Sequence, residues 1–153
     1  MTFKYQNFCV IFMLVAVLLV SAGSSLQAGT VLEAGGEKMT AGLNMPSIGW
    51  VIEDEMGHIT GYRGVNLFLG YSEKRYFEPL QHRSFNPYWG WGTVSLISPY
   101  LKMGGEYSFR LRDDGSFWSA GGLVGISAGD FVGLFNIKSN FIPLVLVTLS
   151  YHF

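Results

Sequence analysis

The chain is poor in cysteine, in charge and in long apolar runs. Its single cysteine, Cys9, lies in the N-terminal apolar stretch, so the rest of the chain can hold neither an internal disulfide nor a thiolate metal site. Charged residues make up 14% and hydrophobic residues 49%, too little charge for an ordinary soluble surface and too much apolar content for disorder. Neither sign dominates, with 10 Lys and Arg against 11 Asp and Glu, so no basic stripe exists to track phosphates and a nucleic-acid partner is excluded. The longest unbroken apolar run, Phe8 to Val20, is shorter than the roughly 20 residues a membrane-spanning helix needs. His58, His82 and His152 are far apart, and no G-x-S-x-G, H-E-x-x-H or phosphate-cradling glycine loop occurs, so no metal or cofactor site is expected.

What is present points first to export. Lys4, the run Phe8 to Val20 and the small residues Ser21 to Ser25 follow the order of a secretory signal peptide. Residues 1–28 are expected to be cleaved after Ala28, with a cut near Ala22 to Ser24 as the alternative, because Leu26 is large for its position. Cys9 precedes the run, the reverse of a lipoprotein leader. Residues 29–153 then form one domain of 125 residues.

That domain has no helical spacing of apolar residues, and its 20 glycines disfavour helices. Alternation points to strands instead. Tyr107, Phe109 and Leu111 oppose Ser108, Arg110 and Arg112; Asp113-Asp114-Gly115 supplies a hairpin turn; and Ser116 to Ala128 returns. Further strands are expected over Tyr62 to Tyr71, Trp89 to Ser98, Leu101 to Glu106, Asp130 to Lys138 and Phe141 to Phe153, with Ser139-Asn140 as the turn between the last two. Weaker candidates at Thr30 to Asn44 and Ile48 to Glu53 bring the tally to about eight. About eight antiparallel strands of 9 to 11 residues close into an up-and-down barrel of this size.

The small or hydrogen-bonding face of these strands (Gly64, Asn66, Gly70, Ser108, Ser119, Gly121, Gly125) suits a narrow lumen, with Glu106, Arg110 and Arg112 as its charged candidates. Tyr62, Tyr71, Tyr88, Trp89, Trp91, Tyr100, Tyr107, Trp118, Tyr151 and Phe153 fall near strand ends, where aromatics form the girdles of a membrane barrel. Phe77 to Tyr88 reads as the longest loop, joining strands three and four, and offers His82, Arg83, Phe85 and Tyr88 as contact residues.

The last strand places Val145, Val147, Leu149, Tyr151 and Phe153 on one face. This resembles the C-terminal assembly signature of bacterial outer-membrane β-barrels, and in size and strand count the domain is similar to the eight-stranded barrels of the outer-membrane protein X and outer-membrane protein A types. The resemblance implies a Gram-negative outer-membrane location, outer-membrane lipid and the barrel-assembly machinery as partners, periplasmic termini and an external Phe77 to Tyr88 loop. The leading expectation is a non-catalytic role, in envelope structure or in surface contact through the external loops, with no partner named; the fold alone does not choose an activity. Ile142, Leu144 and Leu146 make the other face of that strand apolar, so the lumen there is expected to be dry. Lys138-Ser139-Asn140 is similar to part of the His-x-Ser-Asn element of outer-membrane lipid A deacylases. Here Ile137 stands where the general base would be, and an unassisted serine is a poor nucleophile. A hydrolase would need a histidine recruited from elsewhere, with His82 the candidate. A soluble periplasmic barrel binding an apolar ligand is the other alternative, and it requires Val65, Leu67, Leu69, Tyr107, Phe109 and Leu111 to face inward.

Overall fold

The computed structural model describes residues 29–35, 38–128 and 141–153, excepting the side chains of 128 and 141–143. The leader 1–28, the strand expected over Asp130 to Lys138 and the Ser139-Asn140 turn lie outside the described residues, as does the side chain of Ile142. The strands are β1 (Thr30–Val31), β2 (Met39–Leu43), β3 (Ile48–Glu53), β4 (Ile59–Val65), β5 (Tyr71–Tyr76), β6 (Gln81–His82), β7 (Phe85–Val94), β8 (Ser98–Phe109), β9 (Phe117–Ala128) and β10 (Phe141–His152). Eight of them close into an antiparallel barrel in the order β10-β2-β3-β4-β5-β7-β8-β9, while β1 and β6 pair with each other.

The pairing registers fix the geometry of the barrel. A cross-strand row that starts at Met39 passes through Trp50, Arg63, Glu73, Trp91, Leu101 and Ile126 and arrives at Pro143. Met39 itself exchanges backbone hydrogen bonds with Phe153, ten residues further along the chain. A shear of ten residues, at about 3.3 Å each against eight spacings of about 4.8 Å, tilts the strands about 40° to the axis. The walls are unequal in height. β8, β9 and β10 have 12 residues each and rise about 30 Å at that tilt, whereas the six-residue β5 rises about 15 Å. β2 is the slightest of the barrel strands, paired with β10 over four positions and with β3 over three.

Several expectations need correction. Tyr62 to Tyr71 is not one strand: Asn66 accepts from the amides of Phe68 and Gly70, and Leu69 takes a φ of 55°, so 66–70 turns the chain between β4 and β5. The alternation continued through the turn only in the sequence. Leu101 to Glu106 and Tyr107 to Arg112 belong to one strand, β8, which stops at Phe109 because Arg110 adopts a φ of 55°. Thr30 to Asn44 divides into β1 and β2, and β7 begins at Phe85 and ends at Val94. The Asp113-Asp114-Gly115 turn does join β8 to β9, with Gly115 at a φ of 77°. β9 and β10 are direct neighbours from Ala128 opposite Phe141 to Phe117 opposite His152, so no strand stands between them in the barrel.

The expected loop Phe77 to Tyr88 shrinks to 77–84, contains β6 and joins the fourth and fifth barrel strands. An even-numbered connection returns to the rim that carries Met39 and Phe153, so this loop lies on the same rim as the termini rather than opposite them. There it meets the segment 29–35. Leu32 donates its amide to Leu80 O and accepts from Ile59 N, while Ala34 N donates to Gly57 O. Leu32, Ala34, Ile59, Leu80 and Phe117 are buried in a small apolar core at this end.

This clasp of 29–35 against the 77–84 connection includes a titratable histidine, His82, opposite Thr30. Burial, and then the Arg83 guanidinium, hold the His82 imidazole below its ordinary value of 6.5. The folded state thus favours neutral His82, and the stability it contributes is present above 6.5 and lost as pH falls from there toward the lowered value. On moving from about pH 7.5 to about pH 5.5, amide-exchange protection of Leu32 and Ile59 should fall while that of β9 and β10 holds. His82→Gln should remove the pH dependence; unchanged protection in the native protein would disprove this role.

Candidate functional site

The lumen is built by the inward residues of every second position. On β8 these are Ser98, Tyr100, Lys102, Gly104, Glu106 and Ser108, while Leu101 and Tyr107 face outward. Interior glycines make room for long neighbours: a Cβ on Gly90 would lie 2.6 Å from Lys102 Cε, and one on Gly104 2.7 Å from the Tyr88 ring. Gly104-Gly105 is therefore close packing in unbroken register rather than a bulge.

Glu106 is the centre of this interior and is 0% exposed. Lys74 Nζ donates to its Oε1 at 2.8 Å, and Tyr76 OH donates to the same oxygen. Ser119 Oγ and Asn44 Nδ2 donate to Oε2 at 3.2 and 3.3 Å. The Lys74 ammonium also lies 5.2 Å from each of the Tyr62, Tyr76 and Tyr88 ring centroids, a three-sided cation–π cage. Lys102 donates to Ser72 Oγ at 2.7 Å and to Met45 O, capping the 44–47 turn from inside. A charge removed from water needs such partners, and each lumen cation here has them.

Ser119 Oγ and His152 Nε2 lie 2.9 Å apart, with Glu106 near, which brings a serine, a histidine and a carboxylate together. The arrangement is not a catalytic relay. Glu106 contacts the serine rather than His152 Nδ1, which has no partner among the described residues, and all three side chains are sealed from solvent. The deacylase-like element at Ser139 lies outside the described residues. Its flanking strand ends, Ala128 and Phe141, are at the rim opposite His82.

No family model, curated protein or solved structure matches the chain.

The site residues read from the sequence therefore stand on their own placement. Glu106 is in the lumen, but Arg110 and Arg112 are exposed in the 110–116 connection, because β8 has already ended; Arg112 lies 6.0 Å from the Tyr151 ring. Tyr88 is a buried lumen residue of β7, not a loop residue, and Phe85 is half-buried on the same strand. His82 and Arg83 do lie in the 77–84 connection. Val145, Val147, Leu149 and Phe153 face outward and are exposed, and Tyr151 stacks between Trp118 and Phe153. Among the expected girdle aromatics, Tyr62, Tyr88 and Tyr100 are inside, whereas Trp89, Trp91 and Tyr107 are outside, joined by Trp50.

Lys74, Lys102 and His152 were not singled out by the sequence reading. Only a strand over Tyr71–Tyr76, with Ser72, Lys74 and Tyr76 on one face, would have shown Lys74 to be an interior cation. Among the described residues no three His, Cys, Asp or Glu side chains converge on a metal-sized site.

Proposed function

We propose that this protein is a non-catalytic outer-membrane β-barrel with a structural role in the envelope, its walls solvated by lipid and its lumen closed by its own side chains. The observation that carries the reading is the inverted polarity of the walls. Inside are Lys74, Lys102, Glu106, His152 and a set of buried serines and threonines; outside are Leu43, Ile48, Leu101, Val145 and Val147, the last two 75% exposed. A soluble barrel has the opposite arrangement, because water would solvate the charges and expel the hydrocarbon. Of the residues a soluble ligand-binding barrel would turn inward, Val65, Leu67, Leu69, Tyr107 and Leu111 are exposed and Phe109 is half-buried.

The tall wall of β8 to β10 exceeds the apolar band of about 25 Å that outer-membrane barrels present. An eight-strand barrel at this shear leaves space for side chains but not for a solute pore, and the Glu106 network fills it. With periplasmic termini, as the resemblance to small outer-membrane barrels implies, the 77–84 clasp faces the periplasm. Surface contact then falls to the opposite rim, where the described turns 44–47, 66–70 and 95–97 are short.

Heat-modifiable migration in a detergent gel tests the reading. The protein from outer-membrane fractions should run as a compact species unboiled and shift on boiling, and deletion of Phe153 should weaken the folded band. A freely soluble protein with no shift would overturn it.

A further inference from the structure

The short wall carries an outward-facing guanidinium among its apolar residues. On it Arg63 faces outward from β4, in the same cross-strand row as Trp50 and Glu73. Both oxygens of Glu73 are already engaged, Oε1 by Arg75 Nε and Oε2 by Tyr71 OH, each at 2.8 Å. Arg63 feels the Glu73 carboxylate across the strands but makes no hydrogen bond or close ion pair with it or with any other described residue. A guanidinium at a hydrocarbon boundary without an anion is costly, and with Arg63 and Arg75 against Glu73 alone the wall carries one positive charge in excess.

A groove of about 540 Å³ opens beside it, with Arg63 and Trp50 toward the rim of the termini and Val65, Tyr71, Leu69 and Leu96 leading away. The far end is apolar to its tip: Leu69 and Leu96 are 79% and 74% exposed. The turns that hold them bond part of their own backbone. Asn66 bonds the amides of Phe68 and Gly70 and the carbonyls of Tyr71 and Thr93, and Ser95 N donates to Phe68 O. The short wall rises about 15 Å, less than a band of about 25 Å, so Val65 and Tyr71 at its upper end face acyl chains.

We propose that this groove seats one glycerophospholipid of the leaflet nearest the termini, its phosphate on Arg63 and one acyl chain lying along Val65 and Tyr71 to Leu69 and Leu96. The phosphate supplies the direct contact that Glu73, engaged by Arg75 and Tyr71, does not give, the tryptophan marks the headgroup level, and the groove accepts the chain. The inference rests on the membrane reading above.

Native mass spectrometry of the detergent-purified barrel, incubated with dioleoylphosphatidylglycerol, tests it. The native protein should retain one lipid. Arg63→Gln should weaken retention about tenfold, the scale of one charge-assisted contact, while Arg110→Gln leaves it unchanged. Dioleoylglycerol, which has the chains but no phosphate, should not be retained. Equal retention by Arg63→Gln, or none by the native barrel, overturns the site. The heat-modifiable shift is read on the same samples. Loss of the shift in the native protein defeats the membrane reading itself, whereas an intact shift without Arg63-dependent retention defeats the lipid site alone.

Discussion

Glu106→Gln is expected to destabilise the barrel by about 3 to 5 kcal/mol, the usual cost of leaving a buried charge without its counter-ion. Lys74 has no other carboxylate within salt-bridge distance among the described residues, and its side chain is 0% exposed, so water cannot substitute for the lost anion. The tyrosine cage softens the loss without replacing the negative charge. Urea titration of the protein folded into lipid vesicles, followed by the unboiled gel band, would measure it. Lys74→Met in the Glu106→Gln background should recover most of the stability, because an apolar side chain in place of a buried ion pair is often neutral or better. A loss below about 1 kcal/mol in the single variant would mean the pair is solvated, and the lumen open to water.

Val147→Arg separates the two environments the outer wall could face. The residue is central in β10 and 75% exposed on the side away from the lumen. In lipid an arginine at the middle of the apolar band costs about 2 to 4 kcal/mol, whereas a surface site in water changes by within about 0.5 kcal/mol. The expected result in vesicles is the larger loss, with a smaller one for Tyr107→Arg near the rim of the termini, where a long side chain reaches the interface. Indifference to Val147→Arg would show that the wall faces water.

The barrel class was legible because its strongest signals are local. The Asp113-Asp114-Gly115 hairpin and the alternation of Val145 through Phe153 are properties of adjacent residues, and both appear in the structure where the period places them. The tally of about eight also agrees, although its membership differs. Boundaries failed where one residue redirects the backbone without breaking the apolar pattern. Leu69 and Arg110 adopt positive φ in positions where their neighbours still alternate. The lumen was the least legible part. Glu106 meets Lys74 and Tyr76 of β5, Ser119 of β9 and Asn44 of the 44–47 turn, and the register that brings them together depends on shear around the whole cylinder, not on spacing along the chain. The rim assigned to the 77–84 connection changed for a related reason: miscounting one strand upstream exchanges the two ends of every later connection.

The slenderness of β2 has a mechanical consequence. A cylinder under load parts at its weakest seam, and four register pairs toward β10 with three toward β3 are far fewer than the twelve that join β9 to β10. Pulled apart or thermally agitated, the molecule would unzip along β2 while β7 to β10 stayed together as a curved sheet. The same seam joins the earliest barrel strand to the last, so the joint that completes the ring is also where it is most readily reopened.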